Sequence, residues 1–236
     1  VPGKKGDCIL SADYSQVELR LLAHFSQDKA LMAAFAADRD IHRFVASQIF
    51  GVPEQDVTGE MRSRAKAVNF GIIYGQGPFG LSRSVGISQA EAKKFIDDYF
   101  ARYGSIREFL DECISRARQT GYAETILHRR RRIQNLSSKN GNIRAQAERL
   151  AVNTVIQGSA ADLIKLAMIA IQQKIEAESL PVAALLQVHD ELVFELPAAE
   201  ANMHAEWIRE KMSGAMRLDV PLKVDITTGP NWLSGK

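Results

Sequence analysis

This sequence has few extremes, and its scarcities exclude a good deal. Only two cysteines, Cys8 and Cys113, occur in 236 residues. They lie far apart without CxxC or Cys/His spacing, which argues against a disulfide scaffold or structural zinc and fits a reducing compartment. Both read as core filler. No uninterrupted apolar run approaches the roughly 18 residues that suggest a membrane span, and the first apolar stretch, Cys8 to Ala12, stops at Asp13. A soluble, cytoplasmic protein without a membrane partner is the expectation. Neither sign of charge dominates: 30 Lys and Arg against 28 Asp and Glu leave +2, so any case for a polyanionic ligand has to be local. There is no internal repeat and no low-complexity linker. What is present is ordinary globular material, 46% hydrophobic and 25% charged, enough for one large core or two small ones. The chain starts at Val1 rather than Met, with a strand-like run almost at once, and reads as an excised piece of something longer.

Periodicity and punctuation outline the rest. Asp7 to Asp13 reads as a short buried strand, and Ser15-Gln16-Val17-Glu18 has the S-x-x-E form of a capping box. From Gln16 to about Phe50 apolar residues recur at helical spacing, with breaks near Asp28 and Asp38, which predicts several short helices closed by Gly51-Val52-Pro53. A helix is predicted from about Thr58 to Tyr74, with Glu60 in its first turn and Gly75, Gly77 and Pro78 as stop signals. Ser88-Gln89-Ala90-Glu91 is a second capping box opening a helix to roughly Arg102, and another runs from Gly104 to about Gln119. Gly121 to Asn140 reads as irregular or β-like. A helical pattern returns from about Asn142 to Ala177, with Gly158 as a kink or junction. Two β-prone segments then flank His189-Asp190-Glu191 as a hairpin with acids at its tip. A helix from about Ala198 to Gly214 and a strand near Leu222 to Thr227 complete an α+β fold: an antiparallel sheet backed by helices, with a mostly helical insertion between Phe25 and about Arg149.

Three constellations bear on chemistry. Asp13 ends a buried strand, and Asp190 and Glu191 sit at a hairpin tip; if those strands are neighbours, carboxylates converge. Such a cluster repels itself and invites a hard cation, and Mg²⁺ suits carboxylate and water ligands. Singly, Asp13 is as well read as a helix cap and Asp190 as a turn residue. Arg62, Lys66, Phe70 and Tyr74 recur every four residues; at roughly 100° per residue each step advances about 40°, so all four share one helix face. Two cations followed by two rings match the long axis of a nucleoside triphosphate. A plain amphipathic helix would instead bury Phe70 and Tyr74 and expose Arg62 and Lys66. Finally, His128 to Arg149 holds seven Lys or Arg against one acid, Glu148, interleaved with Asn and Gln. That is either a nucleic-acid footprint or a solvated surface. Arg149, Asn153 and Gln157 recur at i+4 and are able to donate to minor-groove acceptors.

Together these residues carry a resemblance. Asp13-Tyr14-Ser15-Gln16-Val17-Glu18-Leu19-Arg20 resembles motif A of the family A DNA polymerases, the bacterial DNA polymerase I type. Arg62-x-x-x-Lys66-x-x-x-Phe70-Gly71-x-x-Tyr74-Gly75 resembles motif B, and Gln187-Val188-His189-Asp190-Glu191 motif C. The likeness extends to Asp40-Ile41-His42, Arg129 to Arg132 and Arg149 to Asp162, so it covers essentially the whole chain.

The resemblance implies a palm of about residues 1–24 and 150–236 with fingers at 25–149, the thumb, upstream palm and any exonuclease domain being absent from this chain. It implies template-directed transfer of a nucleotide from dNTP to a primer 3′-hydroxyl, releasing pyrophosphate, with two Mg²⁺ ions bound by Asp13, Asp190 and the main-chain carbonyl of Tyr14. Arg62, Lys66 and His42 would hold the phosphates, and Lys66 would protonate the departing pyrophosphate. Phe70 would lie against the sugar, Tyr74 near the templating position and Gln16 near the nascent pair, with Glu18 a wall against a ribose 2′-hydroxyl. His189 and Glu191 would flank the primer end, Arg149, Asn153 and Gln157 would follow the minor groove, and Arg129 and Arg130 would bind DNA. The motif B helix would swing inward over a correct nucleotide. DNA primer-template and dNTP are the implied partners, and the chain is expected to be a monomeric part of a longer polymerase. Without a thumb, the piece alone is expected to bind DNA weakly and synthesise little. Phe70, where some relatives carry Tyr, implies discrimination against dideoxynucleotides. The competing readings are a single-subunit RNA polymerase, a non-catalytic nucleic-acid-binding module, and a metal-dependent hydrolase built on His189-Asp190, which lacks the further ligands it would need.

Overall fold

The computed structural model describes residues 1–235. It divides into two compact units, Val1–Val17 with the segment from Ala160 onward, and Glu18–Ser159. The chain enters through β1 (Asp7–Tyr14) and continues into α1 (Val17–Ser26), α2 (Lys29–Ala36) and α3 (Ile41–Phe50). The breaks between these helices are made by aspartates. Asp28 accepts from the backbone N–H groups of Ala30 and Leu31, and Asp40 from those of His42 and Arg43, satisfying donors that a helix start leaves open. α1 begins at Val17, with Gln16 before it at φ 55°.

α4 (Gly59–Ile73) starts where expected, the Thr58 hydroxyl capping it by accepting from the Met61 N–H, and Tyr74 closes it. The expected stop at Pro78 hides a further helix, α5 (Pro78–Val85), in which proline is the first residue; its missing N–H costs nothing there because that position has no intrahelical acceptor. α6 (Gln89–Arg102) carries the full Ser88/Glu91 capping box, and α7 (Gly104–Thr120) ends at Gly121 in the left-handed region. A short hairpin, β2 (Tyr122–Glu124) with β3 (Arg130–Arg132), follows. Ala117, Ala123, Ile133, Leu136, Ala147 and Ala151 form the core beneath it.

α8 (Gly141–Glu178) runs as one helix through Gly158, and the division between the two units falls just after it, between Ser159 and Ala160. A Cβ on Gly158 would lie 2.5 Å from Thr125 Cγ2, so close packing requires the glycine there. By length and composition α8 is apolar enough to cross a membrane, with a mean hydropathy of 1.5 over its best window, but half of that window is buried inside the protein. We read it as a core helix; Asn153, Gln157, Asp162 and Lys165 interrupt it in the sequence.

β4 (Ala183–Val188), β5 (Glu191–Pro197), α9 (Ala201–Ser213) and β6 (Val224–Gly229) complete the first unit. Its sheet is antiparallel in the order β4-β5-β1-β6. β1 is therefore an inner strand, which explains its near-continuous apolar run: Cys8, Ile9, Leu10, Ala12 and Tyr14 are all buried. On β5, Leu192, Phe194 and Leu196 are buried, each contributing about 1.5–3 kcal/mol. α9 packs against β1 and β6 and buries Ile208 and Met212.

Candidate active site

The register of the sheet brings acids to one end. Asp13 lies opposite Glu191 of β5 on one side and Asp225 of β6 on the other. Asp190 occupies the two-residue turn between β4 and β5, with φ positive at His189 only (53°), a position where hairpins usually place glycine. The Tyr14 N–H donates to the Asp190 carbonyl at 3.2 Å, tying that turn to the end of β1. Burial first, then the charges of Asp190 and Glu191, a hydrogen bond with Asp190 and the charge of Asp225, push the Asp13 carboxyl up to about 6. The structure thus unites Asp13, Asp190 and Glu191 as the sequence suggested, and adds Asp225. Nothing in the linear sequence marked Asp225; only cross-strand register brings it to Asp13.

Glu191 is buried and anchored. Its Oε1 accepts from the Ser11 hydroxyl and from the Trp232 indole N–H, the latter at 2.6 Å. Tyr14 is committed to the core, its hydroxyl donating to the Met212 carbonyl at 2.7 Å, which leaves the backbone as its means of reaching a ligand. His189 is exposed, and Gln16 is half-buried. Among the described residues no group of three or more His, Cys, Asp or Glu is arranged to hold a metal ion. Mg²⁺ rarely requires one, since it keeps waters and takes one or two carboxylates together with substrate phosphates; Asp13 and Asp190, close enough to hydrogen-bond, fit that demand.

In the second unit α4 displays its stripe. Ala65, Val68, Asn69, Ile72 and Ile73 are buried, while Phe70 and Tyr74 are only half-buried and Lys66 is exposed, so the rings are not simply the apolar side of an amphipathic helix. Phe70 stacks on Tyr74, centroids 6.2 Å apart and planes 17° apart. The Tyr74 hydroxyl donates to Glu18 at 3.0 Å. Arg62 Nε donates to Asp40 at 2.7 Å. Burial works to raise the Asp40 pKa, but that guanidinium and the Arg43 N–H hold it below its ordinary value. Burial, reinforced by Arg62 and Lys66 and opposed by Asp40, pushes His42 down to about 4 and keeps the imidazole neutral. Lys66 makes no hydrogen bond or ion pair among the described residues.

The basic segment stands on the β2–β3 hairpin and the start of α8. Arg129 and Arg130 are exposed; Arg130 donates to Glu124 at 2.8 Å and lies over the Tyr122 ring. An open groove of about 580 Å³ is lined by Arg131, Arg132, Gln134, Arg149 and Asn153 among others. Arg149 and Gln157 are exposed, and Asn153 is half-buried with its Oδ1 unpaired. Gly75, at φ 64°, has no room for a side chain: a Cβ would meet Arg149 Cγ at 2.6 Å. Gly75→Ala should therefore destabilise the protein by about 1–3 kcal/mol in urea unfolding. Adding Arg149→Ala should recover the steric part and leave the backbone part.

An acid-tipped antiparallel sheet and a helix bearing R-x-x-x-K-x-x-x-F-x-x-x-Y define a known class: the chain belongs to DNA polymerase family A, whose sequence profile matches residues 1–234. Among individual proteins it is 49% identical over 236 residues to DNA polymerase I of Bacillus subtilis (strain 168), and 47% identical to that of Geobacillus stearothermophilus, in each case across 100% of this chain and 27% of the relative. The solved POL domain of Pol1 from M. smegmatis, in complex with DNA primer-template and dNTP, matches it with a TM-score of 0.95 at 44% identity, over 100% of this chain and 41% of that one. The chain thus spans about a quarter of the length of these curated relatives.

Proposed function

We propose that this chain is the palm and fingers of a template-directed DNA polymerase, with palm at 1–24 and 150–236 and fingers at 25–149. The observation that carries this reading is the pairing of Asp13 with Asp190 at the end of the sheet, where burial and like charge hold Asp13 near 6. Such a pair is unfavourable by itself and is relieved by a divalent cation. Two Mg²⁺ ions, held by Asp13, Asp190 and the Tyr14 carbonyl, would lower the pKa of the primer 3′-hydroxyl and offset charge on the α-phosphate and pyrophosphate. Glu191, fixed by Ser11 and Trp232, acts beside the primer end by adding to the field at Asp13. Arg62, held in place by Asp40, and Lys66 bind the triphosphate, His42 donates to it as a neutral ring, and Lys66 supplies a proton to pyrophosphate. Phe70 packs on the sugar, Tyr74 stands by the template base, and Gln16 by the nascent pair. Arg149, Asn153, Gln157, His189, Arg129 and Arg130 contact the primer-template.

The anchoring of Glu18 by the Tyr74 hydroxyl favours deoxynucleotides over ribonucleotides, because a fixed carboxylate is a firmer barrier to a 2′-hydroxyl than a mobile one. The test is a graft of residues 1–236 in place of the matching segment of B. subtilis DNA polymerase I. It should extend a primed template with dNTP in the presence of Mg²⁺ and use rNTP at least about 100-fold less well. Equal use of both would point to an RNA polymerase, and Mg²⁺-dependent DNA binding with no extension to a non-catalytic module.

A further inference from the structure

Asn69 is fully buried on α4, yet its Oδ1 has no hydrogen-bond partner. Its Nδ2 lies 3.1 Å from His42 Nδ1. An amide nitrogen only donates, so Nδ1 must accept, and the single proton of a neutral imidazole then resides on Nε2. That nitrogen has no hydrogen-bond partner among the described residues. Around the ring stand Asp40, Arg62 and Lys66, with the Phe70 ring 5.8 Å away. A third cation beside Arg62 and Lys66 would repel both in the nucleotide-free protein, whereas a neutral N–H adds a directional donor without that penalty. The opposite tautomer would present a lone pair to any phosphate oxygen.

We propose that Asn69 is a positioning residue: it fixes His42 as the Nε2–H tautomer, so that the ring offers a donor to a phosphate oxygen of the bound nucleotide. The second half of this inference rests on the nucleotide reading above; the first does not. Long-range ¹H–¹⁵N spectra of the histidine-labelled chain, with the His42 signals identified by their loss in His42→Gln, should show Nε2 protonated from about pH 6 to 8. Addition of Mg²⁺–dATP should shift that resonance. In Asn69→Asp the new carboxylate accepts from Nδ1–H and moves the proton to it, so dATP affinity should fall about tenfold or more at pH 8 and recover toward pH 6 as the ring gains its second proton. A merely structural role would show no such pH dependence. Protonation at Nδ1 in the wild-type chain overturns the proposal, and it can be read even if Asn69→Asp fails to fold. An Nε2–H signature with unchanged dATP affinity in Asn69→Asp at every pH overturns the phosphate half. An Nε2–H signature in a wild-type chain that binds no triphosphate at all sinks the nucleotide reading and leaves the Asn69–His42 pairing standing.

Discussion

Asp13→Asn and Asp190→Asn, each introduced into the B. subtilis graft, will lower the rate of primer extension by roughly 10³-fold or more. Both substitutions keep shape and remove the anionic oxygen that a hard cation requires. For Asp13 the same change should move stability the other way. Its folded-state pKa of about 6 lies above the ordinary 3.8, so between those values the folded chain holds a proton that the unfolded chain has lost. The contribution of this group is therefore fully favourable below about pH 3.8 and is lost as pH rises through about 6. At pH 7 and without divalent ions, Asp13→Asn removes that repulsion and should raise the melting temperature of the 236-residue chain. Mg²⁺ should raise it for the wild type and not for the variant. Mg²⁺ binding by the wild type should release protons near pH 6 and fewer near pH 8. Retained synthesis in either variant, or a lower melting temperature in Asp13→Asn, would contradict the assignment.

Lys66→Ala should have the next largest effect, roughly 10²–10³-fold on the maximal rate of the graft, because it removes both a phosphate charge and a proton donor. Lys66→Arg separates the two. Arginine keeps the charge but scarcely releases a proton, so dNTP affinity should be largely retained while the maximal rate stays low. Arg62 is expected to behave differently, since Asp40 already holds its guanidinium. If Lys66→Arg restores the full rate, Lys66 serves as a charge alone.

Local chemistry made much of this molecule legible in advance. Ser88 caps a helix through the backbone N–H three residues on, an interaction wholly contained in one turn, so reading S-x-x-E was enough; the matching role of the Thr58 hydroxyl shows only in the structure. The R-x-x-x-K-x-x-x-F-x-x-x-Y stripe follows from helical geometry alone. The strand-turn-strand around Asp190 was equally visible. The misses have physical causes. Pro78 stops one helix and starts the next, and both uses look the same in one dimension. The close packing of Gly158 against the methyl group of Thr125 left no mark on the local sequence, because that methyl comes from a distant segment. Trp232 and Ser11 meet on Glu191 from opposite ends of the chain.

Residue type and spacing by themselves determined which side chains hold charge, where most of the helices form, and which family the motifs resemble, because those properties are decided within a turn or two of backbone. Only the tertiary structure decided that Asp225 bears on Asp13, that Asp40 holds Arg62, and that the Asn69 amide meets the His42 ring. Each of these depends on strand register or helix packing, where a shift of one residue would turn the group to another face.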